Sequence, residues 1–209
     1  MNFLKTAILC LLALSFTEAA AKSKFLLLMG PSGCGKSTLI QHLKKLDARF
    51  EYITPLTTRP LRPGECDKRH VSLDEMIELN KNGGLLAINY IYGIYYATPR
   101  SPIDQAFSQE KFPLLDWPVE KIDIIEKVYG KDIYRVYVRP EGSEELQKRL
   151  SKDLRDKDGK RYVAGIDELE NFTAGKYEGL YDFTIINASG CDRETACTIY
   201  DHFILALGE

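Results

Sequence analysis

No stretch of this 209-residue sequence is apolar for long enough to cross a bilayer comfortably; the longest run, Ala7 to Leu14, falls well short of the ~20 residues a spanning helix needs. Neither sign of charge dominates. The 28 basic residues face 30 acidic ones, a net charge of −2, which excludes the broad basic footprint of a general nucleic-acid binder. Basic residues gather locally instead, as suits the binding of small anions. Internal repeats, low-complexity tracts and linker-like stretches are missing too, so one compact domain, or one with a small insertion, is expected. The five cysteines show no zinc-ligand spacing and read as reduced, mostly structural thiols.

The N-terminus has a layout of its own. Lys5 supplies a positive charge, Ala7 to Leu14 an apolar run, and Ala19-Ala20-Ala21 a small-residue end. That is the order of a secretory signal peptide over residues 1–21. A mitochondrial presequence fits less well, because the segment has no Arg and contains Glu18. An extra N-terminal helix or a start assigned too early are the other readings.

What is present centres on Gly30-Pro31-Ser32-Gly33-Cys34-Gly35-Lys36-Ser37-Thr38, which matches G-x-x-x-x-G-K-[ST] at every fixed position. The apolar run Phe25 to Met29 precedes it, and a helical rhythm follows from Lys36 to about Leu46. Glycines let successive N–H groups turn inward at phosphate oxygens, and the helix N-terminus adds partial positive charge. Lys36 can reach the terminal phosphates, and the Ser37 hydroxyl can join a Mg²⁺ shell. This pattern implies a bound nucleoside triphosphate, for which ATP with Mg²⁺ is the expectation.

Downstream the pattern alternates. Short strands are expected at 51–54, 112–116, 133–138 and 183–187. Helices are expected from Ser72, which opens a capping box, after Ser101 as a cap with Pro102 first in the helix, from Val119, from Ser143 as a cap, after Lys160, and from Asp192. Such alternation predicts a three-layer α/β/α fold with a central parallel sheet and the ligand at the C-terminal strand ends. Residues 57–98 differ in composition and are mostly short β, with a hairpin broken at Gly93; they read as a small lobe over the site. The expected division is a core of 22–56, 99–147 and 178–209, the lobe at 57–98, and a helical lid at 148–177. Within the lobe, Arg59 and Arg62 stand three apart on a Pro-rich segment, and each can hold a phosphate with paired N–H donors. Asp116, at a strand end, can orient a metal through water.

The phosphate loop together with Thr57-Thr58-Arg59-Pro60-Leu61-Arg62-Pro63-Gly64-Glu65 resembles the guanylate kinase family, whose T-T-R-x-x-R-x-G-E element follows the loop at this distance. Gly93 to Thr98, Leu114-Leu115-Asp116, Arg139 to Leu150 and Tyr181 to Asn187 extend the likeness over Phe25 to about Phe203. The resemblance implies that Arg59, Arg62, Tyr96 and Thr98 bind the acceptor GMP, that Arg149 and Arg161 are lid arginines acting in transfer beside Lys36, and that Asn187 borders the ATP site. Asp153 replaces a third lid arginine, and Arg155 is near enough to substitute. Nucleotides are then the expected partners, with no nucleic acid and no stable membrane span. ATP chemistry expects the cytosol while residues 1–21 point to secretion, so localisation stays open.

The base-recognition positions depart from the family. A carboxylate is replaced by Ala87, a serine by Pro55, a second metal-strand aspartate by Pro118, and D-Y-x-F by Lys68-Arg69-His70-Val71. Asp67, Asn89 or Tyr90 are candidates to replace the lost contacts. Three readings follow. The first is ATP-dependent phosphorylation of a nucleoside monophosphate, GMP or dGMP foremost. The second is a kinase of another phosphorylated acceptor, and the third a catalytically weak binding module.

Overall fold

The computed structural model describes residues 25–91, 93–152 and 159–208. The signal-like segment 1–21 and Arg155 lie outside the described residues. Nine strands and seven helices succeed one another among those described: β1 Phe25–Met29, α1 Lys36–Leu46, β2 Phe50–Tyr52, β3 Leu56–Thr57, β4 Arg69–His70, α2 Leu73–Lys81, β5 Leu85–Ile91, β6 Ile94–Pro99, α3 Ser101–Ser108, β7 Phe112–Asp116, α4 Ile122–Tyr129, β8 Ile133–Arg139, α5 Ser143–Ser151, α6 Lys160–Thr173, β9 Phe183–Ile186 and α7 Asp192–Leu207.

Five strands form a sheet in the order β2-β7-β1-β8-β9, with every pairing parallel. All five residues of β1 are buried, as a central strand covered on both faces requires. Alternate residues serve opposite faces. Phe25, Leu27 and Met29 pack with Ile103 of α3 and Ile122 and Ile125 of α4. Leu26 and Leu28 pack with Leu39, Ile40 and Leu43 of α1 and with Ala196, Ile199 and Phe203 of α7. This is the expected three-layer arrangement.

A second sheet, β4-β3-β6-β5, is largely antiparallel and carries its own small core of Leu56, Val71, Met76, Leu85 and Ala97. The β5–β6 hairpin turns at Gly93, with φ 79° in the left-handed region that glycine tolerates. Ser72 caps α2 by accepting from the Glu75 N–H at 3.0 Å.

Three local expectations need correction. β2 runs Phe50–Tyr52 and stops before Thr54, because only that stretch registers against Phe112–Leu114. Ser143 is the first residue of α5 and caps nothing; extended Gly142 precedes it. Ser101 likewise lies inside α3, with Arg100 before it.

Candidate functional site: a phosphate loop facing an arginine segment

β1 ends at Met29, and the chain turns at once into the loop. Its conformation is enforced by packing. Gly30 has φ 126°, and a Cβ there would lie 1.9 Å from the Val138 carbonyl oxygen of β8. Gly35 has φ 100°, and a Cβ there would lie 2.3 Å from the Asn187 amide nitrogen. No side chain fits either place. Within the loop, the Cys34 N–H donates to the Pro31 carbonyl at 3.2 Å and the Thr38 N–H to the Gly35 carbonyl at 3.0 Å. The N–H groups of Gly33, Gly35, Lys36 and Ser37 meet no protein acceptor among the described residues. Unsatisfied donors at a helix N-terminus form an anion cradle.

Lys36 folds back over this loop, its Nζ donating to the Gly30 carbonyl and, at 3.1 Å, to that of Pro31. Burial works against the ammonium, but the Cys34 sulfur and the carboxylates of Asp116 and Glu168 outweigh it and hold its pKa above the ordinary value. The Cys34 side chain is fully buried, which raises its thiol pKa, with the Lys36 charge opposing.

The loop is held by Asn187 and by arginines of α5 and α6. Asn187, fully buried, donates its amide to the Cys34 carbonyl at 3.0 Å and to Asp192 Oδ1 at 2.8 Å. Arg149 on α5 donates to the carbonyls of Cys34 at 3.2 Å and Asn187 at 2.8 Å, and to Glu145 at 2.8 Å. Arg161 on α6 donates from Nε to the Ser32 hydroxyl at 3.0 Å. α6 comes this close because Gly165 faces Pro31 and Leu146; a Cβ there would lie 2.9 Å from a Leu146 methyl.

A cleft of about 1150 Å³ opens over the loop. Gly30, Ser32, Gly33, Gly35, Lys36, Ser37 and Thr38 line one end, and Arg59, Arg62, Tyr96 and Thr98 line the other. Asp116, Arg149 and Arg161 also face it. Pro31, Cys34 and Asn187 do not line it; they shape the loop from behind. Asp116 ends β7 in register with Leu28 of β1, which places its exposed carboxylate beside the loop. Its Oδ1 accepts from the Tyr52 hydroxyl at 3.4 Å.

The two segment arginines differ in state. Arg59 is held in a paired contact by Glu65, and its Nη1 also donates to the Pro60 carbonyl at 2.8 Å. The Arg59 guanidinium in turn holds the Glu65 carboxyl down at about 2. The Arg62 side chain is 45 % exposed and stands 3.8 Å from Glu65, so its guanidinium is available to an anion.

Two cleft residues carry chemistry that sequence reading passed over. Glu65 was read only as a motif letter, yet it anchors Arg59. Glu168, on α6, is pushed up to about 7 by burial, with the Lys36 charge opposing, and accepts from the Tyr137 hydroxyl at 3.2 Å. Its signal was available: Arg161, Gly165 and Glu168 recur at helical spacing on one face. Of the proposed replacements for the base contacts, Asn89 and Asp67 line the cleft, whereas Tyr90 is 63 % exposed and stacks near Tyr95 outside it.

A parallel sheet, an amide cradle at the end of its central strand, and a second sheet whose connecting segment brings arginines to the same cleft define a nucleoside monophosphate kinase of the phosphate-loop class. The guanylate kinase family model matches residues 22–204. A guanylate kinase of Gluconobacter oxydans is 28 % identical over 186 residues, covering 86 % of this chain and 85 % of the relative. One of Cereibacter sphaeroides is 30 % identical, with 80 % of each chain covered. Among solved structures, the guanylate kinase of Anaplasma phagocytophilum superposes with a TM-score of 0.69 at 20 % identity, over 90 % of this chain and 87 % of that one. The chain belongs to the guanylate kinase family. Among the described residues no helix is long and apolar enough to cross a membrane.

Proposed function

We propose that this protein transfers the γ-phosphoryl group of ATP to GMP or dGMP, forming ADP and the nucleoside diphosphate. One observation carries the reading: a cradle of unpartnered amides with Lys36 lines the same cleft as Arg59 and Arg62. Phosphoryl transfer asks for alignment and neutralised charge more than for covalent catalysis. In this reading Lys36 exchanges the loop carbonyls for the β- and γ-phosphates. Arg59 and Arg62 grip the acceptor phosphate, with Tyr96 and Thr98 beside it. Arg149 and Arg161, already anchored on the loop, bring cationic charge to the group in flight.

A magnesium ion fits the residues present. Ser37 and Asp116 line the cleft, and no cluster of three ligating side chains occurs among the described residues. That suits a hard cation which keeps waters and takes the rest of its shell from phosphates. Bound there, it would neutralise charge on the phosphate oxygens.

The test is a coupled assay for ADP with ATP, Mg²⁺ and GMP, run beside Lys36→Ala. GMP-dependent turnover that falls by about a hundredfold or more in the variant is expected, the scale of losing one preorganised electrostatic contact. Absence of turnover on any nucleoside monophosphate, with ATP still bound tightly, would favour a binding module. Turnover confined to another phosphorylated acceptor would favour the second kinase reading.

A further inference from the structure

We infer that Asn89 reads the acceptor base by donating to a 6-carbonyl, so that 6-oxo purine monophosphates are accepted and AMP is rejected. The inference rests on the phosphotransfer reading above and refines its substrate class.

Asn89 sits on β5, is only 7 % exposed and lines the cleft. Its Oδ1 accepts from Lys121 Nζ at 2.6 Å, and the Lys121 carbonyl accepts from the Trp117 indole at 2.9 Å. A charged donor on the oxygen fixes which way the amide faces. The Asn89 NH₂ meets no acceptor among the described residues and is not sealed from solvent, so its donors open to the cleft. Pro55, Pro118 and Ala97 line the cleft as well, together with Tyr96 and Thr98. Ala87, two residues back along β5, is packed in the core and offers no polar atom.

With its oxygen held by Lys121, Asn89 presents a donor from the β5–β6 face to the base. A 6-oxo purine accepts from it. A 6-amino purine sets donor against donor and leaves both unsatisfied, which is the strongest basis for rejection a polar pocket has.

The experiment compares kcat/KM for GMP, IMP and AMP in the full-length protein, in Asn89→Asp, which keeps shape but removes the donor, and in Lys121→Met, which frees the amide to rotate. The wild type should prefer both GMP and IMP to AMP by at least about tenfold, the smaller end of one unmade hydrogen bond. Both variants should shrink the GMP-to-AMP ratio, Asn89→Asp by about tenfold or more. A wild type that uses AMP as well as GMP, or a GMP-to-AMP ratio unmoved in both variants, overturns the inference and leaves phosphotransfer standing. No transfer to any of the three overturns the phosphotransfer reading, and this inference with it.

Discussion

Asn187→Asp replaces an NH₂ with an oxygen at constant shape, at a fully buried side chain. The native amide donates to the Cys34 carbonyl at 3.0 Å and to Asp192 Oδ1 at 2.8 Å. In the variant, an oxygen would face both of those oxygens. The introduced carboxyl escapes by staying protonated, which restores one donor. At pH 7 that means holding a proton about 3 units above an ordinary aspartate pKa of about 3.9, and at 1.36 kcal/mol per unit the cost is about 4 kcal/mol. At pH 5 the same sum gives about 1.5 kcal/mol. The sign follows from linkage: the folded-state pKa is raised, so the deficit grows as pH rises from the unfolded value. For a chain of this size about 4 kcal/mol lowers the melting temperature by roughly 8–16 °C. Asn187→Ala loses the two hydrogen bonds without adding a charge, so its cost of about 2 kcal/mol should not change with pH. Urea and thermal melts at pH 5 and pH 7 measure both. A variant as stable as wild type at pH 7, or a deficit equal at the two pH values, refutes the view that this amide holds the loop through its donors.

Other perturbations have equally definite outcomes. Arg62→Met, at a half-exposed side chain, should raise the KM for the acceptor about tenfold while leaving the melting temperature within the range of surface substitutions. Arg59→Met should raise that KM and also destabilise, because the Glu65 carboxylate loses its paired partner; equal melting temperatures for the two variants would count against this division of labour. The Glu168 carboxyl is held up at about 7, above the unfolded value, so its contribution to stability is full below about pH 4.5 and fades as pH rises through 7. Glu168→Gln keeps an acceptor for Tyr137 and should gain on wild type between pH 5 and pH 8 in urea midpoints; a gap independent of pH would show that this carboxyl does not titrate there.

Much of this arrangement was legible in the residues, and the exceptions have physical causes. Phe25 to Met29 read as a buried strand because a central parallel strand is apolar throughout, and the loop motif located its own turn. The hairpin at Gly93 was visible because a positive φ leaves little choice of residue. Ser143 and Ser101 misled because a helix-favouring serine can stand just inside a helix as well as before it. The separation of 32 residues between Asn89 and Lys121 hid the brace that orients the amide, since only the packing of β5 against the start of α4 brings them together. Pro31 and Cys34 belong to the loop motif by sequence and Asn187 to the end of the last strand, yet packing sets them behind the loop. Glu65 and Glu168 look like solvated acids until their partners, Arg59 and Tyr137, are seen.

The central claim is that one cleft holds two phosphorylated ligands end to end. A crystal structure of the protein with Mg²⁺ and a bisubstrate analogue, adenosine joined to guanosine through five phosphates, tests it directly. The expected density has one end of the phosphate chain on the N–H groups of Gly33 to Ser37 with Lys36 alongside, and the other between Arg59 and Arg62. An analogue bound elsewhere, or a loop whose amides face no phosphate, would contradict it.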